Sequence, residues 1–442
     1  MSAGGGRDLR EIHDRMIQNL RGFVVSWNLT RCCNLMCRHC YMDASPFPGR
    51  ASSEELSTES CLSILDQIQE VAPEALLILS GGEALLRPDF RLIAERASSL
   101  GFWVVLGTNG IAVDEGLAAR LRETGIRGAG LSLDSAVPER HDAFRGLSGA
   151  WGNTMKAIAS VKKAGLPFLI HTTVHKGNAG EIPEVAEKAY SLGAQALQLF
   201  FLVPSGRGRF VTNITVEEHD GLSKALGQLR LRYSGKMLIN AKCAPHLRRI
   251  FQEENPHDPD VRGFSGTGGC PAGTQYFAIT PEGDVTPCPY LPLYGGNLRR
   301  EPLSSIWNHS ALFQEIRDRK SLTGTCGICE WKHACGGCRA RAFGATEDHL
   351  AADPICSYRP GSSPKAPSAS GGPEAYGQEC SVSLAWTPGA LARTKRIPAF
   401  VRGMVIKKLE NMARDRGLAE VSETLMDEAR ERMTGHIPKS PP

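Results

Sequence analysis

The sequence predicts an α/β fold in which a partial (β/α)6, TIM-like barrel of parallel strands precedes a small cysteine-rich domain and a C-terminal helical module. Three observations carry this prediction. Short runs of apolar, β-prone residues alternate with amphipathic helical stretches from residue 23 to about residue 203. Most of the 14 cysteines fall into two groups, at 32–40 and 270–356. A stretch rich in Pro, Ser and Gly at 359–373 then separates a final segment with helical patterning.

Six strand–helix units make up the predicted barrel. The candidate strands are 23–27, 76–79, 102–106, 129–133, 168–174 and 196–202, and helical patterns lie near 54–71, 88–100, 114–124, 151–164 and 180–192. The predicted divisions are an N-terminal extension (1–20), the barrel (21–235), the cysteine-rich domain (236–358), a linker (359–380) and the helical module (381–442). The chemistry of such barrels gathers at the carboxyl ends of the strands, and the unusual residues of this chain follow those ends.

The composition excludes several function classes. The chain has 442 residues, and its 51 Lys and Arg against 47 Asp and Glu leave a net charge of +4, which is too small to indicate a nucleic acid partner. Its apolar runs are far shorter than the ~20 residues of a membrane span, and the Gly-rich N-terminus lacks the apolar core of a signal peptide. We therefore expect a cytoplasmic protein. In that reducing compartment, clustered cysteines indicate metal or iron–sulfur ligation rather than disulfides.

The first cysteine group directly follows the first predicted strand. Cys33, Cys37 and Cys40 have the spacing Cys-x3-Cys-x2-Cys. Three thiolates hold three irons of a 4Fe-4S cluster and leave the fourth iron open to a small ligand. The alternative is a zinc knuckle or a set of buried thiols, and Cys32 fits no ligand spacing.

Residues 28–41, NLTRCCNLMCRHCY, closely resemble the signature of radical S-adenosylmethionine (SAM) enzymes, and the resemblance covers roughly residues 20–205. It implies that Cys33, Cys37 and Cys40 are the catalytic cluster ligands and that the open iron chelates SAM. Reductive cleavage of SAM in this family yields a 5′-deoxyadenosyl radical, which takes hydrogen from the substrate.

Residues at the other strand ends match the SAM contacts of this family. The resemblance implies cofactor-binding roles for Tyr41, Gly81, Gly82, Glu83, Thr108, Asn109, Ser132 and Arg145. The Gly-Gly-Glu triplet resembles the motif whose backbone and carboxylate hold the methionine ammonium, and the last four residues resemble contacts to the carboxylate and ribose of SAM. Turn or cap roles are the alternative for each of these four.

The second cysteine group resembles the SPASM extension of radical SAM proteins, which usually binds auxiliary 4Fe-4S clusters. The resemblance implies a distal cluster held by Cys326, Cys329, Cys335 and Cys356, and a proximal cluster held by Cys270, Cys288 and Cys338. This chain departs from the family in the x2 spacing after Cys335, where x3 is usual, and in the missing fourth cysteine of the proximal set. Either Cys243 completes that set or one iron stays open. Zinc is the alternative metal for paired Cys-x2-Cys motifs.

Two further segments resemble proteins that act on tetrapyrroles. Residues 284–293 and 335–342 resemble the SPASM branch that includes the heme synthase of the siroheme-dependent pathway, which decarboxylates two propionates of iron-coproporphyrin III to vinyl groups. Residues 397–405, Glu410 and residues 413–417 are similar to the C-terminal segment of light-independent protochlorophyllide reductase. The resemblance implies a porphyrin substrate and an external electron donor such as ferredoxin or flavodoxin. The alternatives are a SPASM maturase of peptides or proteins, and a non-catalytic electron carrier or zinc scaffold.

A porphyrin substrate needs cations for its propionates, because guanidinium groups bind carboxylates through two parallel hydrogen bonds. Arg207 and Arg209, in the loop after the sixth strand, are the candidates, and a solvated loop is the alternative. His171 and His175 flank the end of the fifth strand, where an iron ligand or a proton donor is useful. Satisfied core histidines are the alternative.

Overall fold

A computed structural model of the chain describes residues 23–46, 54–254, 269–361, 382–394 and 399–434. The predicted N-terminal extension, residues 362–380 of the predicted linker with Cys380, and the Ile397-Pro398 pair lie outside the described residues. The chain divides into two compact units, one up to residue 368 and one from residue 369.

The first unit alternates strands and helices, as predicted. Its strands are β1 (Val24–Asn28), β2 (Leu76–Ser80), β3 (Trp103–Thr108), β4 (Gly128–Ser132), β5 (Phe168–Val174), β6 (Ala196–Phe201), β7 (Leu238–Lys242), β8 (Tyr276–Ile279), β9 (Asp284–Thr286) and β10 (Gly296–Asn297). Its helices are α1 (Thr58–Val71), α2 (Phe90–Ser99), α3 (Glu115–Glu123), α4 (Pro138–Arg145), α5 (Ala150–Lys163), α6 (Ile182–Leu192), α7 (Val216–Arg232), α8 (Leu247–Glu254), α9 (Leu303–His309), α10 (Ala311–Arg317), α11 (Gly324–Ile328) and α12 (Arg339–Thr346). The predicted α/β fold with a parallel sheet is confirmed.

The sheet is larger than the six strands that the sequence predicts. Its order is β10-β9-β8-β1-β2-β3-β4-β5-β6-β7, and the pairs from β1 to β7 are all parallel. The seventh parallel strand, β7, extends the barrel beyond β6. On the opposite side, β8 pairs in parallel with β1, and β9 and β10 follow as antiparallel strands. The cysteine-rich region thus contributes strands to the same sheet as the barrel.

The two faces of the parallel sheet differ in burial. Apolar residues such as Leu131, Ile170 and Leu197 are fully buried on one face. On strands β2 to β7, most residues of the opposite face are only half-buried, and they line the concave side of the barrel. The strand register places side by side, at the carboxyl ends of β4 to β7, the half-buried residues Ser132, His171, Gln198, Asn240, Phe200 and Lys242. The candidate site lies on this concave face, at the carboxyl ends of the strands.

The second unit is a small helical module with its own core. Its elements are β11 (Ala385–Trp386), β12 (Glu420–Val421), α13 (Pro388–Thr394), α14 (Ala399–Asp415) and α15 (Glu423–Thr434). Leu409, Val421 and Leu425 are among the residues of its buried core. The buried carboxylate of Glu410 accepts hydrogen bonds from the backbone N–H of Ser383 at 2.6 Å and from the indole of Trp386 at 3.2 Å, which pins the start of the unit to α14. Across the described ranges of both units, no helix has the length and apolarity needed to cross a membrane.

Candidate active site and cluster-binding regions

The loop after β1 carries the first cysteine group. Cys33 and Cys37 are buried and Cys40 packs against them in a small apolar cluster. The backbone N–H of Cys33 donates to the carbonyl of Ser45 at 3.0 Å, and the N–H of Ser45 donates to the carbonyl of Arg31 at 3.3 Å. These bonds fold the loop back on itself, so the structure brings the three predicted ligands together at one end of the barrel.

The sulfur atoms of this loop face hydrogen-bond donors. The backbone N–H of Leu35 lies 3.4 Å from Cys33 Sγ, and side-chain N–H groups of Asn109 and Arg145 lie 3.9 Å from Cys33 Sγ and Cys37 Sγ. Burial raises the pKa of Cys33 to about 12, so a bare thiol here stays protonated at neutral pH. Iron ligands must be thiolates. A positively charged iron–sulfur cluster would stabilise the thiolates that burial otherwise disfavours. The three cysteines and the N–H groups beside their sulfur atoms therefore fit such a cluster.

The loop after β2 lies directly against the cysteine loop. The backbone N–H of Gly82 donates to Thr30 O at 2.7 Å, and that of Glu83 donates to Cys32 O at 2.9 Å. A Cβ at Gly82 would lie 2.3 Å from Cys32 O, and Gly81 has a φ of +140° with its Cβ position 2.7 Å from Thr30 O. Because only glycine permits this approach, the Gly-Gly pair fixes the distance between the two loops.

The Glu83 carboxylate points into the protein. It accepts hydrogen bonds from Thr108 Oγ1 at 2.9 Å, from the backbone N–H of Asn109 at 2.9 Å and from that of Leu85 at 3.3 Å. Burial raises the pKa of this carboxyl despite these bonds. The structure therefore shows Glu83 joining the ends of β2 and β3, and its contact with the SAM ammonium stays a prediction.

Arg145 lies on α4, a helix that the sequence analysis did not predict. Its Nε donates to Asp134 Oδ2 at 2.7 Å, and both side chains are buried. Burial disfavours the charged form of Asp134, but the positive charge of Arg145, together with two nearby histidines and a hydrogen bond from the backbone N–H of Thr173, lowers its pKa to about 2. Ser132 is the last residue of β4, two positions before Asp134, and it is half-buried on the concave face. Tyr41 donates its hydroxyl to Asn28 Oδ1 at 2.8 Å.

Arg207 does not lie where a propionate ligand is needed. Its Nε donates to Cys37 O at 2.9 Å, its Nη2 donates to Ala44 O at 2.8 Å, and its backbone N–H donates to Cys40 O at 2.9 Å. Arg209 is exposed, and its Nε donates to Gly206 O within its own turn. The predicted propionate role is therefore corrected for Arg207, because backbone carbonyls of the cysteine loop occupy its guanidinium.

These contacts predict that Arg207→Met loosens the cysteine loop. Hydrogen bonds from a charged donor contribute about 1.5–3 kcal/mol each. The measurement follows that part of the spectroscopic signal of the reduced iron–sulfur clusters which changes when SAM is added. We expect an iron chelator to remove this part at least about tenfold faster from the variant than from the wild type. Arg209→Met, which removes an exposed contact, is the matched control. Equal rates of loss in the two variants would show that Arg207 does not hold the loop.

The four cysteines of the predicted distal set surround one cavity. Cys326, Cys329, Cys335 and Cys356 all line the same pocket. The backbone N–H groups of Gly337 and Asp353 donate to Cys335 Sγ at 3.4 Å and to Cys326 Sγ at 3.5 Å. In the described ranges, no three His, Cys, Asp or Glu side chains converge closely enough for a single metal ion. The four cysteines thus line a common pocket without converging on one point, which fits the several irons of a cluster better than a single metal ion.

The structure brings Cys243 to the predicted proximal set. Cys288 and Cys338 are buried in one cluster, against which Cys243 and Cys270 pack. The thiols of Cys243 and Cys338 form a hydrogen bond. This placement favours Cys243 as the fourth ligand over an open iron, and the ligation itself stays a prediction.

A buried ion pair connects the two auxiliary sites. Arg341 Nη1 lies 3.1 Å from Asp353 Oδ2, and Arg341 Nη2 donates to Cys243 O at 2.6 Å. Asp353 Oδ2 accepts a hydrogen bond from the backbone N–H of Cys338 at 2.7 Å. The backbone N–H of Asp353 bonds to Cys326 Sγ of the distal set. The Arg341–Asp353 ion pair therefore holds backbone atoms of the proximal cysteine set and a sulfur atom of the distal cysteine set.

A row of aromatic side chains crosses the mouth of the barrel. The ring centroids of His171 and Phe200 are 5.2 Å apart, those of Phe200 and Tyr290 are 6.5 Å apart, and those of Tyr290 and Tyr41 are 4.8 Å apart. All four residues are half-buried. The row joins the loop of the first cysteine group, through Tyr41, to the second group, through Tyr290 beside Cys288.

The two histidines named from the sequence have different surroundings. His175 stacks on Phe144 at 4.2 Å, and its Nδ1 accepts a hydrogen bond from the backbone N–H of Gly177 at 3.1 Å, so the alternative of a satisfied histidine describes it. His171 has no hydrogen-bond partner within the described part of the chain. Its ring occupies the space beside Gly130, where a Cβ would lie 2.3 Å from the imidazole. His171 therefore stays a candidate for contact with a ligand.

Lys242 is a cation that the structure places on the concave face and that the sequence did not single out. The residue pairs with Phe200 in the register of β6 and β7. The alternation in Leu238–Lys242 is the only local signal for this strand, and it covers five residues. The position of Lys242 depends on long-range pairing, which this short pattern did not reveal.

The sequence matches three known families. Residues 27–189 match the radical SAM superfamily, residues 270–336 match the SPASM iron–sulfur cluster-binding domain, and residues 386–430 match the proto-chlorophyllide reductase 57 kD subunit. The first match includes Cys33, Cys37 and Cys40, and the second begins at Cys270 and ends before Cys338 and Cys356. The radical SAM and SPASM resemblances of the sequence are thereby confirmed.

Individual relatives support the same assignment. The AdoMet-dependent heme synthase of Methanosarcina barkeri is 38% identical over 344 residues, which cover 76% of this chain and 97% of that protein. The AdoMet-dependent heme synthase of Oleidesulfovibrio alaskensis is 36% identical over 353 residues, with coverage of 78% and 89%. Among solved structures, Streptococcus suis SuiB bound to precursor peptide SuiA superposes with a TM-score of 0.62 and 15% identity, over 81% of this chain and 83% of that one. The last likeness concerns the fold.

The relative of 38% identity is matched over 97% of its own length and 76% of this chain. The chain therefore belongs to the radical SAM superfamily, as a SPASM-containing enzyme that uses SAM and 4Fe-4S clusters.

Proposed function

We propose that this enzyme converts iron-coproporphyrin III to heme by oxidative decarboxylation of two propionates to vinyl groups. The observation that carries the proposal is the aromatic row from Tyr41 through Tyr290 and Phe200 to His171, on a half-buried concave face. A flat macrocycle buries its faces well against such rings. Two relatives of 38% and 36% identity bear the name AdoMet-dependent heme synthase, which supports the same substrate.

Each propionate loses one hydrogen atom, carbon dioxide and one electron on the way to a vinyl group. When SAM and its 4Fe-4S cluster are bound, they supply the 5′-deoxyadenosyl radical that removes the hydrogen atom. The electron needs a one-electron acceptor, and the proximal cysteine set adjoins the mouth of the barrel through Tyr290. We further propose that Cys33, Cys37 and Cys40 hold the SAM-chelating cluster, and that the two four-cysteine sets hold auxiliary clusters.

The protein residues in this scheme bind and orient. The Gly81-Gly82 pair holds the loop after β2 against the cysteine loop, and Glu83 ties that loop to Thr108. We propose that Ser132, Asn109 and Arg145, which the family resemblance assigns to SAM, face the cofactor at the strand ends. Reduction of the cluster requires an external donor such as ferredoxin or flavodoxin, and we place the reaction in the cytoplasm.

The test is an anaerobic incubation of the reconstituted full-length enzyme with reductant, SAM and iron-coproporphyrin III. Porphyrin mass and 5′-deoxyadenosine are followed together by liquid chromatography and mass spectrometry. The expected result is stepwise loss of two carboxyl groups, with one deoxyadenosine formed for each. Deoxyadenosine formation with an intact porphyrin would reject the tetrapyrrole proposal and direct the search to peptide substrates.

Cys329→Ala separates radical formation from product formation. Cys329 lines the distal cavity and lies outside the cysteine loop after β1. We expect the variant to cleave SAM and to lose heme formation by at least about a hundredfold, because one auxiliary iron loses its ligand. An unchanged yield of heme would show that the distal site takes no part in the conversion.

A further inference from the structure

Lys242 is the last residue of β7, at the carboxyl end of the strand that closes the concave face. The register pairs it with Phe200 of β6, and Phe200 contacts the ring of His171 with centroids 5.2 Å apart. Lys242 and His171 therefore lie on the same face of the sheet, on either side of Phe200. Both are half-buried.

Neither side chain has a hydrogen-bond or ion-pair partner within the described ranges of the chain. This is unusual for a lysine set among buried strands, because such ammonium groups are normally paired. Burial, with the positive charges of Arg145 and Lys242, lowers the pKa of His171 to about 4. The imidazole is therefore neutral near pH 7, and one of its nitrogens carries a proton that can be donated. The pair offers one cation and one neutral donor to an anion.

The position of the pair fits the reacting part of the substrate. His171 is the register partner of Ser132 on β4, at the end of the barrel where SAM is expected. Lys242 directly precedes Cys243, which packs in the proximal cysteine set. A group bound between them lies between the predicted source of the radical and the predicted site of electron acceptance.

We propose that Lys242 and His171 form the binding site for the carboxylate of the propionate that is being converted. Lys242 forms the ion pair with this carboxylate, and His171 donates a hydrogen bond to it. The inference rests on the proposed function, and it names the residues that select a propionate-bearing ring over one that has already lost this carboxyl group. It also assigns the cation role that Arg207 does not fill.

The test compares two ligands and uses binding, without turnover, as the readout. Reconstituted full-length enzyme with SAM, but without reductant, is titrated with iron-coproporphyrin III and with heme, which lacks both reacting carboxyl groups. Binding is followed by the change in porphyrin absorbance. We expect Lys242→Met to weaken binding of iron-coproporphyrin III by about tenfold to a hundredfold, and to change heme binding by less than about twofold.

Three variants control the interpretation. Lys242→Arg keeps the charge and is expected to stay within about threefold of the wild-type affinity. Lys224→Met removes an exposed lysine of α7 and is expected to change neither affinity. Iron content and circular dichroism verify the fold, and if Lys242→Met does not fold, Lys242→Gln gives the same comparison.

Equal weakening for the two ligands, or no weakening for iron-coproporphyrin III, would overturn the carboxylate site and leave the proposed function standing. A wild-type enzyme that binds neither tetrapyrrole would overturn both.

Discussion

Replacement of Cys33, Cys37 and Cys40 by alanine is expected to abolish 5′-deoxyadenosine formation. The three thiolates are the only ligands that the protein is expected to give to this cluster, and Cys33 and Cys37 are buried. We expect at least about a thousandfold loss of SAM cleavage and a decrease of about four iron atoms per chain. Both are measured on anaerobically reconstituted protein, by chromatography and by iron analysis.

The matched control is Cys61→Ala. Cys61 is also buried, on α1 in the apolar layer under the sheet, and it belongs to neither cysteine group. This variant is expected to keep wild-type iron content and SAM cleavage. Residual SAM cleavage by the triple variant at more than background level would place the SAM-chelating cluster elsewhere in the chain.

Removal of the Arg341 charge destabilises the cysteine-rich region. The Arg341→Met variant leaves Asp353 buried without its cationic partner, which costs about 3–5 kcal/mol in other buried pairs. Arg341 also donates to the carbonyl of Cys243, so we expect the proximal cluster to be lost. Asp353 bonds to the distal set, so we expect that cluster to be weakened too. The measurements are the unfolding transition and the iron content of the full-length protein.

An exposed pair provides the comparison for this variant. Arg91 and Glu95 form an ion pair at 2.7 Å on the surface of α2, and such pairs contribute about 0–1 kcal/mol. Arg91→Met is therefore expected to leave the unfolding transition and the iron content nearly unchanged. If Arg341→Met behaves like Arg91→Met, the buried pair does not organise the two auxiliary sites.

The sequence predicted well those features that are local in the chain. The strand ends before Gly81, Asn109 and the cysteine loop follow from short apolar runs that are broken by polar residues, and the structure has strands at these places. Helix α4 was missed because its eight residues carry a weak apolar pattern and were interpreted as part of a SAM-binding motif. The bonds of Glu83 to Thr108 and Asn109 were also not predictable, because these two donors lie at the end of another strand.

Features that depend on distant backbone atoms could not be predicted. Arg207 was interpreted as a propionate ligand because it is a cation in a glycine-rich loop at a strand end. The sequence does not indicate which backbone carbonyls its guanidinium reaches. The contacts to Cys37 O and Ala44 O exist only because the loop after β6 lies over the cysteine loop. The same holds for Lys242 and Cys243, which enter the barrel mouth and the proximal set through the pairing of β7.

The pairing of β8 with β1 has a consequence for how the protein is made. During synthesis, β1 emerges first, and its strand partner on one side, Tyr276–Ile279, emerges long after the other barrel strands. Glu282, which forms an ion pair with Arg31 of the cysteine loop, is likewise synthesised long after its partner. Until then, one edge of β1 is open, and open edges of apolar strands favour pairing with other chains. The nascent barrel therefore reaches its protected form only when the cysteine-rich region has been translated.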